Sequence, residues 1–224
     1  MRKIVFSLFG VVLVAAIVPA QDTKPAAGGV TVDKEKRTVT VAAKVAPRKL
    51  PNLEQVYPVE LIAGWGAPKG KKAHEIIVSV DINPSEVHKG LVDLGLKPGK
   101  AAKGENAKAE GPEVKVWLEV PGMEKKISLD KALMDPKSKK PAPKMTFRFT
   151  GSVMSATDPN KPDDKKYGAD LTGTLIALFP VTDECVLQTD WTMKEEKYLK
   201  LDVNPDVLPK EGSPIRIVIE APKP

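Results

Sequence analysis

From Arg37 onward the hydrophobic positions of the chain recur mainly with a period of two. Val39, Val41, Ala43 and Val45 share one face of a segment whose other face carries Thr38, Thr40 and Lys44. The same alternation sets His74, Ile76, Val78 and Val80 against Glu75, Ile77, Ser79 and Asp81. It sets Val114, Val116, Leu118 and Val120 against Lys115, Trp117 and Glu119. Met145, Phe147 and Phe149 alternate with Thr146, Arg148 and Thr150, and Ile215, Ile217 and Ile219 with Arg216 and Glu220. Successive strand side chains point to opposite faces, so each run predicts a β-strand with one buried face. Weaker strand signals lie at 56–63, 172–179, 185–189 and 197–203. One-sided burial of this kind is the pattern of antiparallel sheets.

One segment changes period. Asn83-Pro84-Ser85-Glu86 supplies an N-cap, a proline at the first helical position and a glutamate at the capping-box position. Val87, Leu91 and Leu94 then form one apolar stripe, and Gly95 followed by Pro98 predicts the stop. Ser128–Met134 reads as a second, shorter helical turn. Three long polar loops separate the elements: 97–113, the lysine- and proline-rich 135–144, and 155–167. The expected fold is therefore α+β and β-rich, a mostly antiparallel sheet with one or two short helices and long polar loops.

The N-terminus follows a different logic. Arg2 and Lys3 precede an apolar run from Ile4 to Val18, and Val18-Pro19-Ala20 leads into Gln21-Asp22. A basic start, a short apolar stretch and compact residues before a polar segment predict a signal peptide over residues 1–20, cut between Ala20 and Gln21. Residues 21–29 read as a flexible leader, and 30–224 as one domain. The expected location is periplasmic or extracellular, with no membrane span after cleavage.

Composition narrows the chemistry. The formal net charge of +6 falls to +4 without Arg2 and Lys3, and aromatic residues make up only 5% of the chain. Nucleic-acid binding requires clustered basic residues with stacking aromatics, so nucleic acid is not expected as a partner. The single cysteine, Cys185, excludes a disulfide framework and reads as a small buried hydrophobe in the apolar context ECVLQ. The 21 prolines fall mostly in loops and at strand ends, where a missing N–H costs little.

Candidate sites are few. His74 and His88 are the only histidines, and with Glu75 they form the one metal-capable set, suited to a transition metal such as zinc or copper if strand and helix pack together. His74-Glu75 lacks the second histidine of a helical zinc-protease motif. The stretch 158–164 is rich in aspartate but lacks the central glycine and distal glutamate of a calcium loop, and reads as a turn cluster. The lysine-rich loops offer contacts for anionic glycans or acidic partners. Trp117, on the polar side of its strand, is a candidate contact residue.

Several stretches together resemble a known family. They are His74-Glu75 with Ile76–Val80, the helix around His88, the phrase Leu91–Gly99, Phe147–Ser152, Asp170–Leu178 and Val203–Ile215. The chain resembles the YdjY-domain family, exported bacterial proteins common in planctomycete-type genomes and without an assigned activity. Some relatives carry a ferredoxin-like label. One cysteine cannot supply the four thiolates such clusters use, so no iron–sulfur cluster is expected. The resulting expectation is a non-enzymatic binding or interaction module of the cell envelope, its partner an envelope protein or glycan. The rivals are a metal-dependent protein using His74, Glu75 and His88, and a hydrolase or transferase with an unrecognised site.

Overall fold

The computed structural model describes residues 29–223. The segment expected to be a signal peptide, the expected cut between Ala20 and Gln21 and all but the last residue of the expected 21–29 leader lie outside the described residues. In chain order the elements are β1 (Val30–Asp33), β2 (Thr38–Val45), β3 (Leu61–Trp65), β4 (Val78–Val80), α1 (Pro84–Asp93), β5 (Glu113–Glu119) and β6 (Ile127–Ser128). There follow α2 (Leu129–Ala132), β7 (Leu133–Met134), β8 (Phe147–Phe149), β9 (Met154–Ala156), β10 (Lys165–Tyr167) and α3 (Gly168–Thr172). The last are β11 (Thr174–Ala177), β12 (Leu187–Thr189), α4 (Met193–Tyr198), β13 (Asp202–Val203) and β14 (Pro214–Glu220). Among the described residues no helix is long and apolar enough to cross a membrane.

Eight strands close into a barrel in the order β2, β14, β5, β8, β12, β11, β3, β4, with β4 pairing back onto β2. β2 closes it by dividing its pairing. Residues 38–41 pair with β1, and residues 43–45 pair with β4. The predicted alternation of β2, β5 and β14 explains the interior: Val39, Val41, Val116, Leu118, Ile217 and Ile219 point inward and are buried. An eight-stranded barrel is just wide enough for side chains to fill. Most pairs are antiparallel, as expected, while β3–β4 and β11–β12 are parallel.

Helix α1 has the predicted termini. The Asn83 N–H donates to Glu86 Oε1 at 2.9 Å, closing the N-terminal turn. At the other end the N–H groups of Gly95 and Leu96 donate to Val92 O and Leu91 O, with Gly95 at φ +86°. α1 lies against β1, β2 and α3, and Gly90 lets it approach Val32 and Val39 closely.

The strand expected at 74–81 is shorter than its pattern. Only Val78–Val80 pairs, and residues 71–75 form turns, with the Glu75 N–H donating to Lys72 O at 3.0 Å. Alternation fails at one step, because consecutive Ile76 and Ile77 are both buried. Ile77 enters the main core, and Ile76 joins a satellite core with Leu61, Ala101, Ala177 and Cys185 outside the barrel wall. That satellite core orders the loop at 97–113. The Ala102 N–H donates to Gln188 Oε1 at 2.8 Å, and Gln188 Nε2 donates to Ala102 O at 3.0 Å. The strap so formed covers the outer side of β3, β11 and β12. The other two polar loops are also tied down. Asp135 caps its turn through the N–H groups of Lys137 and Ser138, and 154–167 folds into the β9–β10 hairpin.

Candidate functional site

The strap does not reach the outer face of β2, β14 and β5, where Lys115 is exposed, most other side chains are part-exposed and the central Val218 is buried among its neighbours. Strand register arranges its side chains in three rows. Thr38, Glu220 and Lys115 form the first; Thr40, Val218 and Trp117 the second; Ala42, Arg216 and Glu119 the third. Thr31 of β1 and Ser128 of β6 extend the middle row on either side. Cross-strand neighbours interact, and here Glu220 faces Lys115 while Arg216 faces Glu119. Lys126, from the loop after β5, joins the outer rows: its Nζ lies 2.7 Å from Glu220 Oε1 and 3.8 Å from Glu119 Oε1. Burial opposes ionisation of Glu220. The Lys126 ammonium, the Trp117 N–H and the Lys115 charge outweigh it, and the carboxyl sits below its ordinary value.

Two hollows open at the ends of this face. The larger, about 490 Å³, lies between the β1–β2 turn, the start of β5 and the C-terminal residues, with Arg37, Lys115 and Glu220 on its walls. The smaller, about 220 Å³, is lined by Glu119, Arg216 and the loop from Val120 to Lys126. Trp117 sits between them. Its Nε1 is buried beside the Glu220 carboxylate.

His74 and Glu75 stand together at one end of the barrel. His74 Nε2 lies 3.2 Å from Glu75 Oε1, and its ring meets Tyr57 edge-on. Lys72 Nζ binds Glu75 at 2.6 Å and Glu60 at 3.0 Å. Burial raises the Glu75 carboxyl above its ordinary value despite Lys72, and the Glu60 charge adds to the rise. Burial also opposes the Lys72 charge, but its two carboxylates hold that group above its usual value. Beside this cluster the buried Arg48 guanidinium donates to Asp202 Oδ1 at 2.7 Å and to the carbonyls of Tyr57, His74 and Ile76. Together these contacts fasten the 70–77 turn to the chain entering β3.

His88 stands apart from that pair. His74 precedes β4 and His88 follows it, so the two rings lie toward opposite ends of the barrel. The Ser152 N–H donates to the Tyr167 hydroxyl at 3.1 Å, and the same hydroxyl is hydrogen-bonded to His88 Nδ1 at 2.8 Å. Phe149 packs edge-on against the same imidazole, 5.1 Å between centroids. Ser152 Oγ is engaged by the Ala169 N–H and the Val153 carbonyl. Among the described residues no group of three or more His, Cys, Asp and Glu side chains is placed to hold a metal ion.

The sequence model of the YdjY domain matches residues 30–220, nearly all of the described chain. The chain belongs to the YdjY-domain family. No curated protein and no solved structure matches it. In this YdjY domain the first two resembling stretches divide by position: His74-Glu75 holds one end of the barrel, and α1 with the turn that ends it lies at the other. Periodicity placed Trp117 on the outer side of its strand, but the adjacency of β5 and β14 that surrounds it with paired charges is not visible in spacing. Arg48 and Gln188 carried no sequence signal, since nothing local marks a polar side chain that will be buried.

Two predictions arise from these buried groups. Cys185 is fully buried, and burial pushes its thiol up to about 12. Iodoacetamide at mildly alkaline pH is expected to leave the folded YdjY domain unmodified and to label Cys185 fully in denaturant. Labelling of the folded protein at the unfolded rate contradicts this placement. Burial holds His88 below its ordinary value against the pull of the Asp170 carboxylate. On acidification below about 6.5 the unfolded chain therefore takes up a proton before His88 does, and stability falls with pH until His88 itself titrates. Thermal unfolding at pH 7 and pH 5 checks it: His88→Asn should reduce the loss on acidification, whereas an unchanged loss removes His88 as its source.

Proposed function

We propose that this YdjY domain is an exported, non-enzymatic binding module of the cell envelope, and that the outer face of β2, β14 and β5 is its contact surface. One observation carries the reading. A tryptophan is set among paired charges on a sheet face that the strap leaves open, between two hollows. The polar groups of Arg48, Gln188, Ser152 and the His88–Tyr167 pair are already engaged in holding loops and helices in place. The N-terminal segment supports export. Intact mass of the protein from its native cells should begin at Gln21, and a cytosolic form beginning at Met1 would overturn that part.

The contact surface is tested by photo-crosslinking in intact cells from positions 42 and 216 on the face, with position 89 on the exposed side of α1 as control. A recurrent adduct is expected from the face and not from the control. Equal patterns from all three positions sink the assignment.

A further inference from the structure

We propose that the open face takes an extended, uncharged polysaccharide strand, a proposal that rests on the reading of this face as the contact surface. The first argument is length. Lys115 and Glu119, in the outer rows, are four residues apart on β5, roughly 13 Å at the rise of a strand. The two ends open into separate hollows on either side of Trp117. A surface of that extent suits several linked sugar rings.

The second argument is charge. Glu220 is answered by Lys115 and Lys126, and Glu119 by Arg216 and the same Lys126, so two carboxylates stand interleaved with three basic groups, one positive charge in excess, on a sheet that fixes their positions. A polyanion would require an unanswered basic stripe. The core of a protein interface is depleted in Lys and Glu and built around apolar anchors. This face matches neither description. Hydroxyl groups both donate and accept, and paired carboxylates and ammonium groups satisfy both roles. Thr38 and Thr40 add neutral hydroxyls alongside.

The third argument is the indole. Trp117 is half-buried and lies in the middle row, with its buried Nε1 turned toward the Glu220 carboxylate. The part of the ring left exposed is apolar and suits a ligand whose own rings have C–H faces.

The test is depletion of the mature chain from solution by insoluble cellulose, chitin and starch, with heparin-agarose as the anionic comparison, at roughly 0.1 and 0.5 M salt. Retention on at least one neutral glycan that persists at the higher salt is expected. Trp117→Ala should weaken it about tenfold or more and Trp117→Phe less, since stacking area is lost in that order. Glu119→Gln, which leaves the core untouched, should weaken it as well, and stands in if Trp117→Ala does not fold. Retention on heparin alone, salt-sensitive throughout, overturns the proposal, as does full retention by both the Trp117→Ala and Glu119→Gln variants. Failure on every neutral glycan, together with a protein adduct from positions 42 and 216, overturns the ligand class and leaves the contact surface standing. Failure of both overturns the surface too.

Discussion

Replacing Arg48 with Met is expected to cost about 3–5 kcal/mol, the range for removing one member of a buried, hydrogen-bonded charge set. The guanidinium is nearly inaccessible and donates to four acceptors drawn from three separate segments: Tyr57, the 74–76 turn and Asp202 of β13. Methionine fills much of the volume but leaves the carbonyls of Tyr57, His74 and Ile76 without this donor. Each buried acceptor left so costs about 1–3 kcal/mol. Arg48→Lys should recover less than half of the loss, because one ammonium cannot reach a planar array of acceptors as the fork does. Chemical denaturation of the three proteins measures both effects. A methionine variant within about 1 kcal/mol of the parent would mean that the loops hold one another without the arginine.

A second large loss is expected at Gly173. This residue ends α3 at φ +78°, and its carbonyl accepts the Trp65 N–H at 2.9 Å. A Cβ there would lie 2.4 Å from Trp65 Cδ2. The indole has little room to retreat, since its Nε1 donates to Ile82 O at 2.7 Å and Lys69 Nζ stands 3.6 Å from the ring centroid. Gly173→Ala combines left-handed backbone strain of about 1–2 kcal/mol with overpacking of about 1–3 kcal/mol. Gly95→Ala separates the two contributions. Its φ is +86° with nothing within 4 Å of the added carbon, so only the backbone strain of about 1–2 kcal/mol applies. Equal losses at the two positions would remove the Trp65 contact as a cause.

The elements with one buried face were legible in the sequence, and the closure that joins them was not. β2, β5 and β14 follow their alternation nearly residue for residue, because each has the packed interior on one side and a polar surface on the other. α1 was legible because its start, stripe and stop agree. The pattern gave way where a strand is covered on both sides. β3 and β11 are buried throughout, and adjacent Ile76 and Ile77 serve different cores. The division of β2 between β1 and β4 is a long-range choice of partners, with no local signature. At the candidate surface, strand period alone turned Trp117 outward. The charges around it became neighbours only through the pairing of β5 with β14, two segments far apart in sequence.

That same pairing has a consequence for how the protein is made. β14, the last strand among the described residues, fills the gap between β2 and β5, pairing Thr38 with Glu220 and Lys44 with Pro214. Contacts spanning nearly the whole chain make for slow folding, since loop-closure entropy must be lost before they form. The ring of strands therefore stays open until β14 is free to pair. Until β14 arrives, β2 and β5 each present an unpaired edge, so a partly made domain carries two free edges where the finished barrel has none.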